Sequence, residues 1–140
     1  MKHVAITLIA GLLAAPAAFA QDAATGEDEF RKCKSCHMIE TPDGESIVKG
    51  GRTGPNLHGI IGRQAGTVEG FRYSDDLVAA GEAGLVWDEE NIAAYMEDPR
   101  GFIREYLDDS SARSTMTFKM RRNSADVAAY LATFSEEADG

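Results

Sequence analysis

Apolar positions recur with helical spacing in several short stretches of the chain, and nowhere do they alternate long enough to predict a useful strand. The clearest stretch is the last. Val127, Tyr130, Leu131 and Phe134 fall at i, i+3, i+4 and i+7, behind Asn123 or Ser124 as the cap. Asp88 predicts the start of a second helix through Ile92, Tyr95 and Met96, which Pro99 stops near Asp98. Shorter helices are expected over Ser74 to Ala80 and Phe102 to Leu107. Another runs from Asp22 to about Lys34, with Phe30 as its core contact and Glu27, Asp28 and Glu29 as an acidic first turn. Between residues 40 and 73 the pattern dissolves: eight glycines with Pro42 and Pro55 predict turns and wrapping loop. The expected class is all-α.

The apolar run Val4 to Ala15 belongs to none of these helices. It follows a short polar start at Lys2 and His3 and ends in Ala18-Phe19-Ala20, an A-x-A cleavage pattern. This predicts a secretory signal peptide over residues 1–20, removed after Ala20. Pro16 breaks the run short of the roughly 20 apolar residues a spanning helix prefers, so no stable membrane insertion is expected. The remaining residues, 21–140, suffice for one domain without repeats or linkers, exported to a bacterial periplasm. The polar, glycine-rich middle is too loose to build a core alone, so a large apolar group held by the loops is expected.

That group is indicated by Cys33-Lys34-Ser35-Cys36-His37. Two thiols three positions apart can add across the vinyl groups of a haem, with the adjacent imidazole reaching the iron, and C-x-x-C-H is read as c-type haem attachment. A zinc site needs about four ligands, and beyond the motif the chain offers only His3 and His58. A redox dithiol would sit beside a βαβ pattern, which is missing here.

The second axial ligand decides the chemistry. An open iron admits ligands or catalysis, whereas a methionine closes it and raises its potential for electron transfer. Met38 neighbours His37 and cannot reach the other face of the same haem, and Met96 sits mid-helix where methionine is commonly core filler. His58 lies in a segment that reads as surface turn. Met116 and Met120 both precede the last helix, and spacing alone does not separate them.

The chain resembles the class I c-type cytochromes, most closely the cytochrome c2 proteins of purple and related bacteria. The resemblance covers nearly all of residues 21–140. It is carried by Gly26 with Phe30, by Thr53-Gly54-Pro55-Asn56-Leu57 with Gly62-Arg63, and by Phe71-Arg72-Tyr73-Ser74, Trp87 and Tyr95. Thr115-Met116-Thr117-Phe118-Lys119 and Asp126 to Leu131 complete it. It implies a single-domain fold of helices and long loops around one haem c. That haem is held by Cys33 and Cys36, with His37 and Met116 as axial ligands and Met120 at a packing position. It further implies that the Pro55 carbonyl orients His37, that Arg63, Tyr73 and Trp87 hold the haem propionates, and that Tyr95 lies beside the Met116 sulfur. Two segments, Glu40 to Gly51 and Asp108 to Ala112, are longer than in the short mitochondrial members.

Charge adds a partner surface. Residues 21–140 carry 13 basic and 23 acidic side chains, yet residues 31–63 are net +3 and residues 113–122 net +4, against −9 over residues 75–109. Lys32, Lys34, Lys49, Arg113, Lys119 and Arg121 are the expected docking residues. The overall acidity disfavours nucleic acid. The resemblance implies a monomeric electron carrier, not an enzyme. It would take electrons from a quinol-oxidising cytochrome bc complex and pass them to a photosynthetic reaction centre or a haem-copper oxidase.

Overall fold

The computed structural model describes residues 21–135, so the expected leader lies outside the described residues. Five helices and one small sheet follow in the order α1 (Ala23–Glu29), β1 (Ile39–Glu40), β2 (Ser46–Val48), α2 (Asp75–Glu82), α3 (Glu89–Glu97), α4 (Pro99–Leu107) and α5 (Ser124–Ala132). No described helix is long and apolar enough to cross a membrane.

Helix α1 begins where the Asp22 carboxylate accepts the Ala24 and Thr25 amides. Its first turn therefore contains no acid, and Glu27 to Glu29 stand near its end, opposite to the expected placement. The segment then tightens into a 3₁₀ turn, Phe30–Lys32, whose Arg31 and Lys32 supply the positive charge a C-terminal turn favours. α1 crosses α5 at Gly26, where a Cβ would stand 2.0 Å from the Asp126 carbonyl oxygen, so only glycine permits this approach. Phe30 is buried there against Tyr130, ring centroids 5.6 Å apart.

The sheet is a departure from the all-helical expectation, although the fold remains helix-rich. β1 and β2 pair antiparallel, with Ile39 opposite Val48 and an irregularity after it. Strands of two and three residues are too short for alternation to reveal. Their turn is held by the Thr41 hydroxyl, which accepts the Glu45 amide, and by Gly44 at φ +88°. The longer Glu40–Gly51 segment is thus largely this hairpin.

The remaining caps are local. Ser74 caps α2, and Asp88 forms a reciprocal box with Asn91 at the start of α3. Pro99 ends α3 as expected but also occupies the first turn of α4, which Asp98 caps through the Gly101 amide, so α4 starts three residues early. At α5 neither expected cap acts as one. Asn123 has φ +62° and no side-chain bond to the helix, and the Ser124 hydroxyl donates instead to Glu97 Oε1 at 2.7 Å, tying α5 to α3. Phe134 falls beyond the helix end yet still packs on Tyr130.

Candidate functional site

The 3₁₀ turn runs directly into the cysteine motif. The amides of Cys36 (3.1 Å) and His37 (2.9 Å) both donate to the Cys33 carbonyl, so one turn carries all three side chains to the same place. They line a largely apolar cavity of about 290 Å³. Burial pushes the Cys33 thiol up to about 11, while hydroxyls of Thr53 and Ser35 hold Cys36 below the ordinary thiol value.

The glycine-rich loop wraps this turn through its backbone. Gly51 donates to the Lys34 carbonyl (2.8 Å), Gly54 to Cys36 (2.8 Å) and Leu57 to Met38 (3.0 Å). At Gly54 a Cβ would stand 2.4 Å from His37 Cε1, so the loop lies against the imidazole as closely as glycine allows. His37 Nδ1 lies 2.8 Å from the Pro55 carbonyl. A carbonyl only accepts, so Nδ1 carries the proton and Nε2 keeps its lone pair. Burial lowers the His37 pKa and the Pro55 contact opposes it, leaving a neutral imidazole suited to a metal.

Of the other expected support residues, Tyr73, Trp87 and Tyr95 line the cavity and Arg63 does not. Arg63 Nη2 donates instead to the His58 carbonyl at 3.1 Å. Among the described residues, the cavity's one Lys or Arg is Arg72, which contributes from an exposed position. Trp87 and Tyr95 pack 5.0 Å apart. Burial raises the Tyr95 phenol, and a side-chain hydrogen bond with Ser114 works against that rise. Tyr73 accepts the Val68 amide at 3.2 Å.

The methionines now separate. Met116 and Met96 line the cavity, whereas Met120 is buried in the core and does not reach it. The Met120 amide donates to the Met96 carbonyl (2.8 Å), fixing Met120 as a packing residue against α3. Met96 as cavity wall, Arg72 and Ser114 were missed in the sequence. Of these, only Arg72 carried a signal, being flanked by the cavity-lining Phe71 and Tyr73.

The expected docking cations are spread more widely than the cavity. Lys32 pairs with Glu29, and Lys119 pairs with Asp98 at 3.0 Å. Lys34 and Lys49 face Glu27 across a separate hollow beside the hairpin. Arg113 and Arg121 are exposed.

No family model matches the chain. It is 58% identical over 134 residues to cytochrome c-551 of Roseobacter denitrificans, covering 96% of both chains. It is 56% identical over 129 residues to cytochrome c2 of Rhodobacter capsulatus, covering 92% of this chain and 93% of the relative. The solved structure of that Rhodobacter capsulatus protein superposes with a TM-score of 0.79 at 55% identity, over 80% of this chain and 97% of that one. This chain belongs to the cytochrome c2 family.

As a cytochrome c2 family member it is an electron carrier with one covalently bound haem c. The described residues fit that group. Two thiols and an imidazole with an unengaged Nε2 share one apolar cavity, and Gly54 shapes the wall behind the imidazole. No cluster of three or more His, Cys, Asp or Glu that could hold a metal ion is found among the described residues.

The cradle is directly testable. Gly54→Ala should push the loop from His37 and cost about 1–3 kcal/mol, as overpacking does, read by thermal unfolding of the holoprotein. An alanine variant with unchanged stability would show that the loop need not lie so close.

Proposed function

We propose that this cytochrome is a periplasmic single-electron shuttle with His37 and Met116 as the axial ligands of its haem. The observation that carries the reading is the meeting of His37, both cysteines and Met116 at one cavity from which Met120 is withdrawn. When bound, the haem supplies a reversible one-electron change at iron. The chain's own residues hold and shield it. Cys33 and Cys36 attach it, and the Pro55 carbonyl keeps His37 in one tautomer and raises its basicity. Trp87, Ile92 and Leu131 exclude water from the buried side. Tyr73 and Trp87 offer polar tips for the propionates, with Arg63 reaching from outside the cavity and Arg72 adding a cation at its rim. Tyr95 stands by the Met116 segment through Ser114. Residues 1–20 direct export and are removed after Ala20, and the mature protein acts as a monomer.

Its donor is a membrane cytochrome bc complex, and its acceptor a photosynthetic reaction centre or a haem-copper oxidase. Charge supports this docking: basic segments flank the haem motif and Met116 in an acidic protein. At physiological salt the Debye length is about 8 Å, so a local positive face outweighs distant negative charge.

Met116→Ala should abolish the Fe–S charge-transfer band of the ferric protein and lower its potential, because thioether sulfur favours the reduced iron. Met120→Ala should keep the band and lose stability through its core position. The reverse pattern would sink the ligand assignment.

Docking is tested on cations that form no ion pair among the described residues. Lys34→Glu and Arg121→Glu should slow electron transfer to an acidic membrane partner and flatten its salt dependence, within the roughly 10- to 1,000-fold range of steering. Glu89→Lys or Glu90→Lys should matter far less, and equal effects from both pairs would refute a local docking face.

A further inference from the structure

Residues 113–120 form an irregular strap along the cavity, and its ends are held differently from its middle. At the far end, the Met120 amide bonds to the Met96 carbonyl (2.8 Å) and Lys119 pairs with Asp98 (3.0 Å). At the near end, the Arg113 amide donates to Asp76 Oδ2 at 2.7 Å, and Arg104 Nε donates to the Ala112 carbonyl at 3.0 Å. Between them, among the described residues, no backbone amide or carbonyl from 114 to 118 bonds to another segment. The one hydrogen bond made by that backbone stays inside the strap, from the Ser114 hydroxyl to the Met116 carbonyl at 2.8 Å.

Among the described residues, the strap's middle is tied to another segment by a side-chain hydrogen bond between Ser114 and Tyr95, so the position of its backbone depends on the anchors at its ends. The near anchor stands three residues from Met116. Asp76 lies in the first turn of α2 and reaches across 37 residues of sequence to make it. We infer that Asp76 is a positioning residue for the methionine ligand, stapling the near end of the strap and so setting how firmly Met116 holds its place. This rests on the reading of Met116 as axial ligand. The staple also gives the longer Asp108–Ala112 segment a role: it delivers the Arg113 amide to α2.

Asp75 supplies an internal control. It shares the first turn of α2, where either carboxylate favours the helix dipole, but it makes no bond to the strap. The test is imidazole titration of the ferric holoprotein, following loss of the Fe–S band as imidazole displaces the sulfur. Asp76→Ala should lower the half-displacing imidazole concentration about three- to tenfold, the usual worth of one hydrogen bond. Asp76→Asn, which keeps an acceptor oxygen, and Asp75→Ala should both stay within about twofold of the wild type. Equal behaviour of Asp76→Ala and Asp75→Ala would overturn the inference. A measurement on the wild type does not depend on any variant folding: imidazole should speed hydrogen exchange at the Arg113 amide, because the coupling between anchor and ligand is reciprocal. An Arg113 amide indifferent to imidazole would likewise overturn it. Absence of the Fe–S band in the wild type would instead strike the ligand reading beneath it.

Discussion

The hydrogen bond between His37 Nδ1 and the Pro55 carbonyl joins the two halves on which everything else depends. On one side is a single helical turn that gathers Cys33, Cys36 and His37. On the other is a loop without secondary structure, which cannot order itself. The loop is fixed by short backbone bonds to the turn, and glycines at 50, 51 and 54 let it come within reach of the Ser35 and His37 carbonyls and the imidazole. A buried donor such as Nδ1–H needs a partner. Meeting that need places the loop, orients the ring and leaves Nε2 unengaged in one arrangement.

The cavity beside this contact sets the energetic scale. Its lining is largely apolar, and each Å² of such surface kept from water is worth about 25 cal/mol. A domain of this size has only about 5–15 kcal/mol of total stability. A group that covers this lining therefore supplies a substantial part of the core, in a short protein with so much loop. The 3₁₀ turn after α1 and helices α3 and α5 supply walls of the cavity, with Phe30, Ile92, Val127 and Leu131 serving both it and the core.

Features carried by local chemistry were legible in the sequence. The helix start near Ser74, the Asp88 cap, the Pro99 break and the Val127, Tyr130 and Leu131 stripe of α5 all act within a few residues, and each stands where its residues predict. The attachment motif was readable for the same reason, since its geometry fits inside one turn. What escaped depends on distant partners. Ser124 bonds to Glu97 rather than capping α5, Arg63 turns to His58 while Arg72 reaches the cavity, and Asp76 finds Arg113. Periodicity left Met116 and Met120 equivalent; the resemblance distinguished them, and the strap puts Met116 at the cavity and Met120 in the core against α3. The hairpin escaped because two- and three-residue strands carry no period.

The central claim is that the covalently held haem completes the core rather than decorating a finished fold. The most direct measurement is thermal unfolding, by far-ultraviolet circular dichroism, of residues 21–140 carrying both Cys33→Ser and Cys36→Ser and freed of haem. Because a group bound only to the native state stabilises it, this chain should show little helix and no cooperative transition. A helix-rich protein melting cooperatively near the holoprotein's temperature would contradict it.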